Sequence, residues 1–247
     1  MQCSPNVLKL KINLIGLIQL FVVTLGLCNT AECLTYKIPT KGNIIGEYRS
    51  IMADRGDTLF DIAEEFDIGV GDMLAANPDL SHKPFKSPTE VIIPAQFILP
   101  NAPKEGIVLN LAEKRLFYFH PDGETVSTYP VGIGRQGWAT PLGTTEIVSK
   151  KEHPAWHPTE SIRREAAMKG KPLPLVVPPG PKNPLGNYAM HLGFTGIMIH
   201  GTTSPKSVGL QSSHGCIRLY ANDIDELFHL STIGTPVRVI YEPHEED

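Results

Sequence analysis

The spacing of apolar residues changes along the chain and predicts two folded parts. Over residues 59–66 the spacing follows one face of a helix, on Leu59, Ile62, Ala63 and Phe66. A second short helix ends at Asn77, because Pro78 disfavours helix in the residue before it. Predicted strands flank the two helices, at 46–52 and 91–94. The order β-α-α-β makes 46–94 a small module with a core of its own.

From residue 107 onwards apolar residues follow the pattern of strands and turns. The predicted strands lie at 107–111, 115–119, 125–131, 144–149, 188–192, 196–200 and 236–241. Helices are predicted over 160–169 and after Asn222, which is a favourable cap residue. Between them, 171–187 holds six prolines and is expected to be an irregular loop that covers a site. The second part is therefore a mainly β domain with short helices.

Residues 1–31 have the composition of a secretory signal peptide, because Lys9 and Lys11 precede an apolar run from Ile12 to Leu27. The run is short for a membrane span of ~20 residues, so an uncleaved anchor is the weaker alternative. Cleavage removes two lysines and no acidic residue, which takes the net charge from −4 to −6. This charge gives no reason to expect nucleic-acid binding.

Four cysteines are present, and two of them lie in the predicted signal peptide. Cys33 and Cys216 remain, and in an oxidising compartment a pair of cysteines forms a disulfide by default. Cys33 stands at the start of the mature chain, outside both folded parts, where chain ends are poorly ordered. A free thiol at Cys216 is therefore favoured over a bridge.

The densest group of reactive side chains lies in 197–219, which contains His200, His214 and Cys216. A cysteine is nucleophilic as the thiolate, and with an ordinary pKa of ~8.5 it needs a base or a cation nearby. A histidine is the usual base. The pattern therefore predicts acyl transfer through a thioester on Cys216.

Three other interpretations use the same residues. A zinc site would take His200, His214 and Cys216 as ligands, but no paired Cys-x-x-Cys or His-Glu-x-x-His motif accompanies them. A structural interpretation makes the cysteine a small core residue, although the glycines around it argue against that. A papain-like peptidase places its cysteine before its histidine, whereas His200 precedes Cys216. We therefore predict no metal and no cofactor.

The small module resembles the LysM module. The matching stretches are Gly56-Asp57-Thr58-Leu59, Ile62-Ala63-Glu64-Glu65-Phe66, Met73-Leu74-Ala75-Ala76-Asn77 and Val91-Ile92-Ile93-Pro94. LysM modules bind glycans that contain N-acetylglucosamine, so the resemblance implies binding to the glycan strands of peptidoglycan. The alternative is a spacer that has no ligand.

The cysteine segment resembles the catalytic motif of the L,D-transpeptidases, the YkuD-type domain. The motif is His200-Gly201, an interval, and then Ser213-His214-Gly215-Cys216-Ile217-Arg218. The resemblance covers about 107–241 and implies a β-sandwich with short helices. With a LysM module in front, the chain is most similar to the Gram-negative periplasmic members that attach an outer-membrane lipoprotein to the wall.

The resemblance also implies a role for each catalytic residue. Cys216 is the nucleophile, and His200 accepts and returns the proton, oriented by the carbonyl of Gly201. His214 fixes the substrate or helps to form an oxyanion hole with the N–H groups of Gly215 and Cys216.

The same motif supplies the predicted substrate-binding residues. They are Ser213, Gly215, Arg218 and Gly201. Arg218 is a permanent cation that suits a carboxylate of the peptide stem, and a surface ion pair is its structural alternative.

The implied reaction joins the diaminopimelate carbonyl of a peptidoglycan tetrapeptide stem to Cys216 and releases D-alanine. The acceptor is an amine of another stem or of an outer-membrane protein. Transfer to water, by an L,D-carboxypeptidase, and a non-catalytic wall-binding protein are the alternatives. The predicted organisation is a signal peptide (1–31), a LysM domain (46–94), a linker (95–105), a catalytic domain (106–241) and an acidic tail (242–247), in the periplasm.

Overall fold

The computed structural model describes residues 35–243. The predicted signal peptide, Cys33 and residues 244–247 lie outside this range. The described strands are Thr35–Lys37 (β1), Ile44–Ala53 (β2), Thr89–Ile98 (β3), Gly106–Asn110 (β4), Arg115–Phe119 (β5), Thr125–Pro130 (β6), Ile133–Gly134 (β7), Gly143–Glu152 (β8), Tyr188–Leu192 (β9), Met198–His200 (β10), Gln211–Ser213 (β11), Ile217–Arg218 (β12) and Pro236–Ile240 (β13). The described α-helices are Leu59–Glu65 (α1), Val70–Ala76 (α2), Glu160–Met168 (α3) and Ala221–Leu230 (α4), and a 3₁₀ turn lies at Pro205–Ser207. None of these helices is long and apolar enough to span a membrane.

Nine strands form one sheet, in the order β1-β6-β5-β4-β13-β8-β9-β10-β12. Gly132, which follows β6, forms an antiparallel bridge with Arg218 in β12. The last strand of the sheet therefore lies beside the end of β6, and the sheet curls. The prediction of a mainly β protein with short helices is confirmed. The predicted β-sandwich is wrong in its layering, because a single curled sheet takes the place of two facing sheets.

Both faces of this sheet are buried at β4, β5 and β6. Successive residues of a strand point to opposite faces. In β5, Leu116 and Tyr118 belong to the core inside the curl, whereas Phe117 and Phe119 belong to a second core on the other face. Helix α4 closes the first core with its apolar residues Ile224, Leu227 and Phe228.

The small module covers the other face. It has the predicted order β-α-α-β, in which β2 and β3 pair antiparallel over ten residues each. Its core continues into the sheet through Val108, Phe117, Phe119 and Val126. The prediction of a self-contained core is therefore wrong, because the strands β4 to β6 are apolar on both sides. Strand β3 runs to Ile98, so the first residues of the predicted linker (95–105) are strand.

Two side chains fix the helices within the module. Thr58 caps α1, since its hydroxyl accepts the Asp61 N–H at 3.2 Å and its own N–H donates to the Asp61 carboxylate at 2.9 Å. Such a reciprocal cap satisfies N–H groups that the first helical turn leaves free. The Asn77 amide donates to the carbonyls of Met73 and Ile92 at 2.9 and 2.8 Å. The end of α2 is thereby tied to β3.

Arg115 lies at the centre of the interface between the module and the sheet. It is 3% exposed, and its guanidinium stacks 3.7 Å from the centroid of the Phe97 ring. It donates to the Asp67 carbonyl at 3.0 Å, and the Tyr220 hydroxyl donates to the neighbouring Ile68 carbonyl at 3.0 Å. The backbones of the two parts also approach each other closely. A Cβ atom placed on Gly209 would lie 2.4 Å from the Cα atom of Gly69. The two parts are therefore packed as one body.

Helix α4 begins differently from the prediction. Its cap residue is Tyr220, and Asn222 is the second residue of the helix, so the predicted Asn222 cap is wrong. The hydroxyl of Tyr220 donates to a carbonyl of the module. This contact holds Tyr220, and not Asn222, at the turn into α4.

Asp67 and Asp223 are two neighbouring carboxyl groups buried at the same interface. Burial raises the pKa of Asp223 well above its usual range, and the charge of Asp67 adds to the effect. Burial likewise raises the pKa of Asp67. Arg115 opposes both shifts, whereas Glu226 strengthens them. Burial at the interface therefore disfavours two ionised carboxylates there.

We expect Asp223→Asn to be more stable than the native protein at neutral and alkaline pH. A pKa raised on folding stabilises the fold fully below the unfolded value of about 3.9, and this contribution is lost as pH rises through the folded value. The gain is expected to shrink towards acidic pH. Thermal unfolding measured against pH tests this, with Asp79→Asn, an exposed position of the module, as the control. A loss of stability that is equal at all pH values would contradict it.

Candidate active site

Two short parallel strands bring the predicted catalytic residues together. β10 and β12 pair with Ile199 opposite Ile217 and His200 opposite Arg218. Cys216 immediately precedes β12, so it stands beside Met198 at the start of β10, and His200 lies at the other end of that strand. The site is therefore built from two strands of one short segment of the chain, which lie side by side at one edge of the sheet.

Ser213 shapes the loop that carries the cysteine. Its hydroxyl donates to the Cys216 carbonyl at 2.6 Å and accepts the Gly215 N–H at 3.1 Å. Gly215 has a φ of 104°, a backbone angle that residues with a side chain rarely adopt. The Gly215 N–H is therefore engaged by Ser213, so the two-amide oxyanion hole that the sequence predicts is not formed in this arrangement. Among the described residues, the N–H of Cys216 meets no acceptor.

His200 is held in one ring orientation. It is 4% exposed, and its Nδ1 lies 2.6 Å from the Gly201 carbonyl, which is the partner that the sequence predicts. Because a carbonyl only accepts, Nδ1 carries the proton and Nε2 keeps a lone pair. Burial lowers the pKa of His200 to about 4, although the hydrogen bond to Gly201 opposes this. His200 is thus a neutral imidazole, ready to accept a proton at Nε2.

Cys216 is half-buried and rests as a thiol. Its sulfur lies 3.7 Å from the Gly196 carbonyl, to which the S–H donates. Burial raises the pKa of the thiol, while a backbone hydrogen bond from Met198 and the charge of Arg218 oppose the shift. In the part of the chain that is described, no hydrogen bond joins the thiol to either histidine. Such contacts often tighten only when substrate is bound.

The second histidine, His214, lies against two charged side chains. Its Nε2 lies 3.0 Å from the Glu165 carboxylate and 3.1 Å from the Arg135 guanidinium. The centroid of its ring lies 4.8 Å from the centroid of the Trp138 ring, in an edge-to-face arrangement. Nε2 of His214 is thus engaged, whereas the hydrogen bond from Nδ1 of His200 leaves its Nε2 with a lone pair, which favours His200 as the base.

Arg218 brings an unpaired cation to the site. Its backbone exchanges two hydrogen bonds of 2.9 Å with Gly132. Between residues 35 and 243 no carboxylate pairs with its guanidinium, so the predicted structural alternative, an ion pair, is absent there. Burial lowers its pKa, and it remains charged at neutral pH. It is suited to bind a substrate carboxylate.

A cavity of about 510 Å³ joins these groups. Of the predicted site residues, His200, Ser213, His214, Gly215, Cys216 and Arg218 line it, and Gly201 acts through its carbonyl. Its remaining walls include Trp138, Trp156, His157, Ile162, Pro184, Leu185 and His191. The size is that of a ligand site with mostly apolar walls.

The proline-rich stretch 171–187 forms only part of the cover. Pro184 and Leu185 line the cavity, and the facing wall comes from Trp156 and the start of α3. The Asn183 amide donates to the Pro154 carbonyl at 2.7 Å, and Trp156 exchanges two backbone hydrogen bonds with Val177. These contacts fix the loop against the cavity wall, so the cover is an integral part of the fold.

The three residues that a zinc site would require do not form one. In the described range 35–243, no three His, Cys, Asp or Glu side chains are placed to hold a metal ion. His214 is turned to Glu165, and His200 is fixed by Gly201. The geometry instead fits nucleophilic chemistry by a cysteine with a neutral histidine as base.

Two pKa values predict how this site responds to pH. Because burial raises the pKa of Cys216, alkylation by iodoacetamide is expected to speed up continuously into the alkaline range. Because the pKa of His200 is about 4, catalysis that uses it as the base is expected to decline only as pH falls through that value. An alkylation rate already at its plateau at neutral pH would show a preformed thiolate and contradict the first expectation.

The sequence is similar to known enzymes. The model of the L,D-transpeptidase catalytic domain (YkuD) matches residues 104–239. YbiS of Escherichia coli K12, named a probable L,D-transpeptidase, is 42% identical over 222 residues, which cover 88% of this chain and 72% of YbiS. ErfK/SrfK of the same organism, named likewise, is 40% identical over 219 residues, which cover 87% of this chain and 70% of that protein. The solved catalytic domain of the E. faecium L,D-transpeptidase is 25% identical, with a TM-score of 0.43 over 57% of this chain and 100% of that one.

The family match covers more than half of the chain, and its range contains both His200 and Cys216. The two relatives from E. coli are similar over most of their own length. The chain belongs to the L,D-transpeptidase family.

Proposed function

We propose that this L,D-transpeptidase acts in the periplasm on the tetrapeptide stems of peptidoglycan. The observation that carries the proposal is the cavity in which a half-buried thiol, a neutral His200 and the unpaired Arg218 meet. A stem offers the matching groups, an amide to be cleaved and carboxylates to be bound. Export rests on the composition of residues 1–31, which lie outside the described range.

The first half-reaction forms a thioester. The Cys216 sulfur attacks the diaminopimelate carbonyl carbon while Nε2 of His200 takes the thiol proton. The developing oxyanion lies towards the free N–H of Cys216. The carbon–nitrogen bond then breaks, and His200 returns the proton to the departing D-alanine amine.

The second half-reaction releases the enzyme. An acceptor amine attacks the thioester carbonyl carbon and gives a proton to His200. The carbon–sulfur bond then breaks, and His200 passes the proton to the sulfur, so that the thiol re-forms. The acceptor is an amine of another stem or of an outer-membrane protein. Walls from Trp138, Trp156 and Leu185 limit water at the thioester, which supports transfer over hydrolysis.

Purified protein incubated with tetrapeptide muropeptides and a second amine tests this function. Amine-exchanged or cross-linked products with free D-alanine are expected. Tripeptide alone, with no exchanged product at any amine concentration, would assign an L,D-carboxypeptidase that uses the same thioester.

We further propose that residues 46–94 act as a LysM domain that binds the glycan strands of peptidoglycan. The resemblance in sequence and the order β2-α1-α2-β3 support this. Because the module packs on the catalytic sheet, a bound glycan would be held at a fixed position relative to Cys216. Co-sedimentation with insoluble peptidoglycan is expected to retain the Cys216→Ala variant as well as the native protein. Failure of both to sediment would favour the spacer alternative.

A further inference from the structure

Helix α3 lines the catalytic cavity with its first turn and has little packing to hold it. None of its residues is buried, although Ile162 reaches the cavity. Its Thr159 cap lies at 3.4 Å from the Ile162 N–H, a weak contact at an exposed helix end. The contacts that hold the later part of the helix are therefore made by its polar side chains.

Glu165 connects this helix to the catalytic loop. One carboxylate oxygen lies 2.5 Å from the Arg135 guanidinium and 3.0 Å from Nε2 of His214. The other oxygen lies 2.5 Å from the Lys169 ammonium. The Glu165, His214 and Arg135 side chains are 20%, 25% and 30% exposed, so solvent screens them less than a surface pair.

The chemistry of Glu165 settles which atoms carry protons. Hydrogen bonds from Lys169 and His214, with Arg135, lower the pKa of Glu165 to about 2, so it is ionised and can only accept. Nε2 of His214 therefore carries a proton and donates to Glu165. Arg135 donates to the same oxygen, and its 3.1 Å approach to Nε2 is a contact between two converging donors.

This arrangement links the cover to the loop that carries the nucleophile. His214 is two residues before Cys216, and Arg135 belongs to the glycine-containing turn beside Trp138. A single carboxylate thus holds three segments: α3, the turn at 135–138 and the cysteine loop. Tilting α3 away would release the ring of His214 at the same time.

We propose that Glu165 is a positioning residue that latches α3 over the cavity and fixes the His214 ring for the acyl-transfer step. The latch rests on the proposed function, because His214 faces a substrate only if acylation occurs at Cys216. Glu165 itself touches neither the substrate nor the reacting atoms. It acts through His214 and Arg135.

The test first compares three variants of the full chain in amine exchange. Glu165→Ala is expected to lower kcat by about 10²-fold, the size of effect that misplaced catalytic groups produce. Glu165→Gln keeps the acceptor oxygen and is expected to recover most of this loss. Glu160→Gln is the matched control, because it removes the same charge from an exposed pair on the same helix, and it is expected to retain native kcat.

His214→Ala then separates positioning from a general structural role. If Glu165 acts through His214, adding Glu165→Ala to this variant is expected to lower kcat by less than about 3-fold, since coupled residues are not additive. Alkylation of Cys216 by iodoacetamide forms no oxyanion and needs no His214, so Glu165→Ala is expected not to slow it. The full 10²-fold loss in both backgrounds, or an equal loss in alkylation, would overturn the latch.

Cys216→Ala, assayed in parallel, keeps the two claims apart. Loss of exchange in this variant together with native kcat in Glu165→Ala would refute the latch and leave the function standing. Exchange that survives in Cys216→Ala would refute the function itself.

Discussion

Cys216→Ala is expected to lower amine exchange by about 10⁴-fold or more, because no covalent intermediate can form without the sulfur. Cys216 is the only cysteine within the described residues 35–243, and its thiol is free. The substitution removes one atom from a half-buried side chain at a cavity wall, so the melting temperature is expected to remain close to native. Exchange of the terminal D-alanine on tetrapeptide muropeptides measures the effect.

The corresponding change at the base is expected to be smaller. His200→Ala removes the group that takes the thiol proton, which contributes typically about 10²- to 10⁴-fold. Equal activity in Cys216→Ala and the native protein would show that the reaction does not pass through the sulfur. Native activity in His200→Ala would show that another group acts as the base.

Removal of the small module is expected to prevent the catalytic domain from folding as a soluble protein. A chain that begins at Pro103 exposes the apolar residues Val108, Phe117, Phe119 and Val126 on one face of the sheet. It also leaves Arg115 without the Asp67 carbonyl and the Phe97 ring. A sheet face of this kind associates with other chains. Solubility and thermal unfolding of the shortened chain measure the effect.

A single substitution tests the same interface in the full chain. Phe117→Ala is expected to cost about 3–5 kcal/mol of unfolding free energy, as for other buried phenylalanines. Tyr48→Ala, in a strand of the module at a position that is 61% exposed, is the control and is expected to change stability by less than about 0.5 kcal/mol. A shortened chain that unfolds cooperatively at the native temperature would show that the module is a separate appendage.

The longer strands could be predicted from the sequence because period-two patterns are local, whereas the short strands β1, β7, β11 and β12 were not predicted, since two or three residues carry no such pattern. The role of the module was harder to predict. The run Leu116-Phe117-Tyr118-Phe119 has no polar residue, and such a run indicates a strand buried on both faces. That signal points to a cover on the second face, but it does not say which segment provides it. The identity of the cover follows only from the packing of α1, α2 and β3.

The catalytic residues could be predicted because they share one short motif, whereas their supports could not. His214 and Glu165 are 49 residues apart, and Arg135 and Glu165 are 30 apart. Neither charged residue belongs to a recognisable motif, and their meeting depends on how α3 lies across the sheet edge. The loss of the Gly215 N–H to Ser213 is equally invisible in sequence, since it depends on the left-handed backbone at Gly215.

Intact-protein mass spectrometry during turnover tests the central claim most directly. With a tetrapeptide stem and no acceptor, the protein is expected to gain the mass of the tripeptide acyl group while free D-alanine appears. Digestion is expected to locate the group on Cys216, and an added amine is expected to remove it. Release of D-alanine from a protein whose Cys216 stays unmodified, or an acyl group on another residue, would contradict the thioester mechanism.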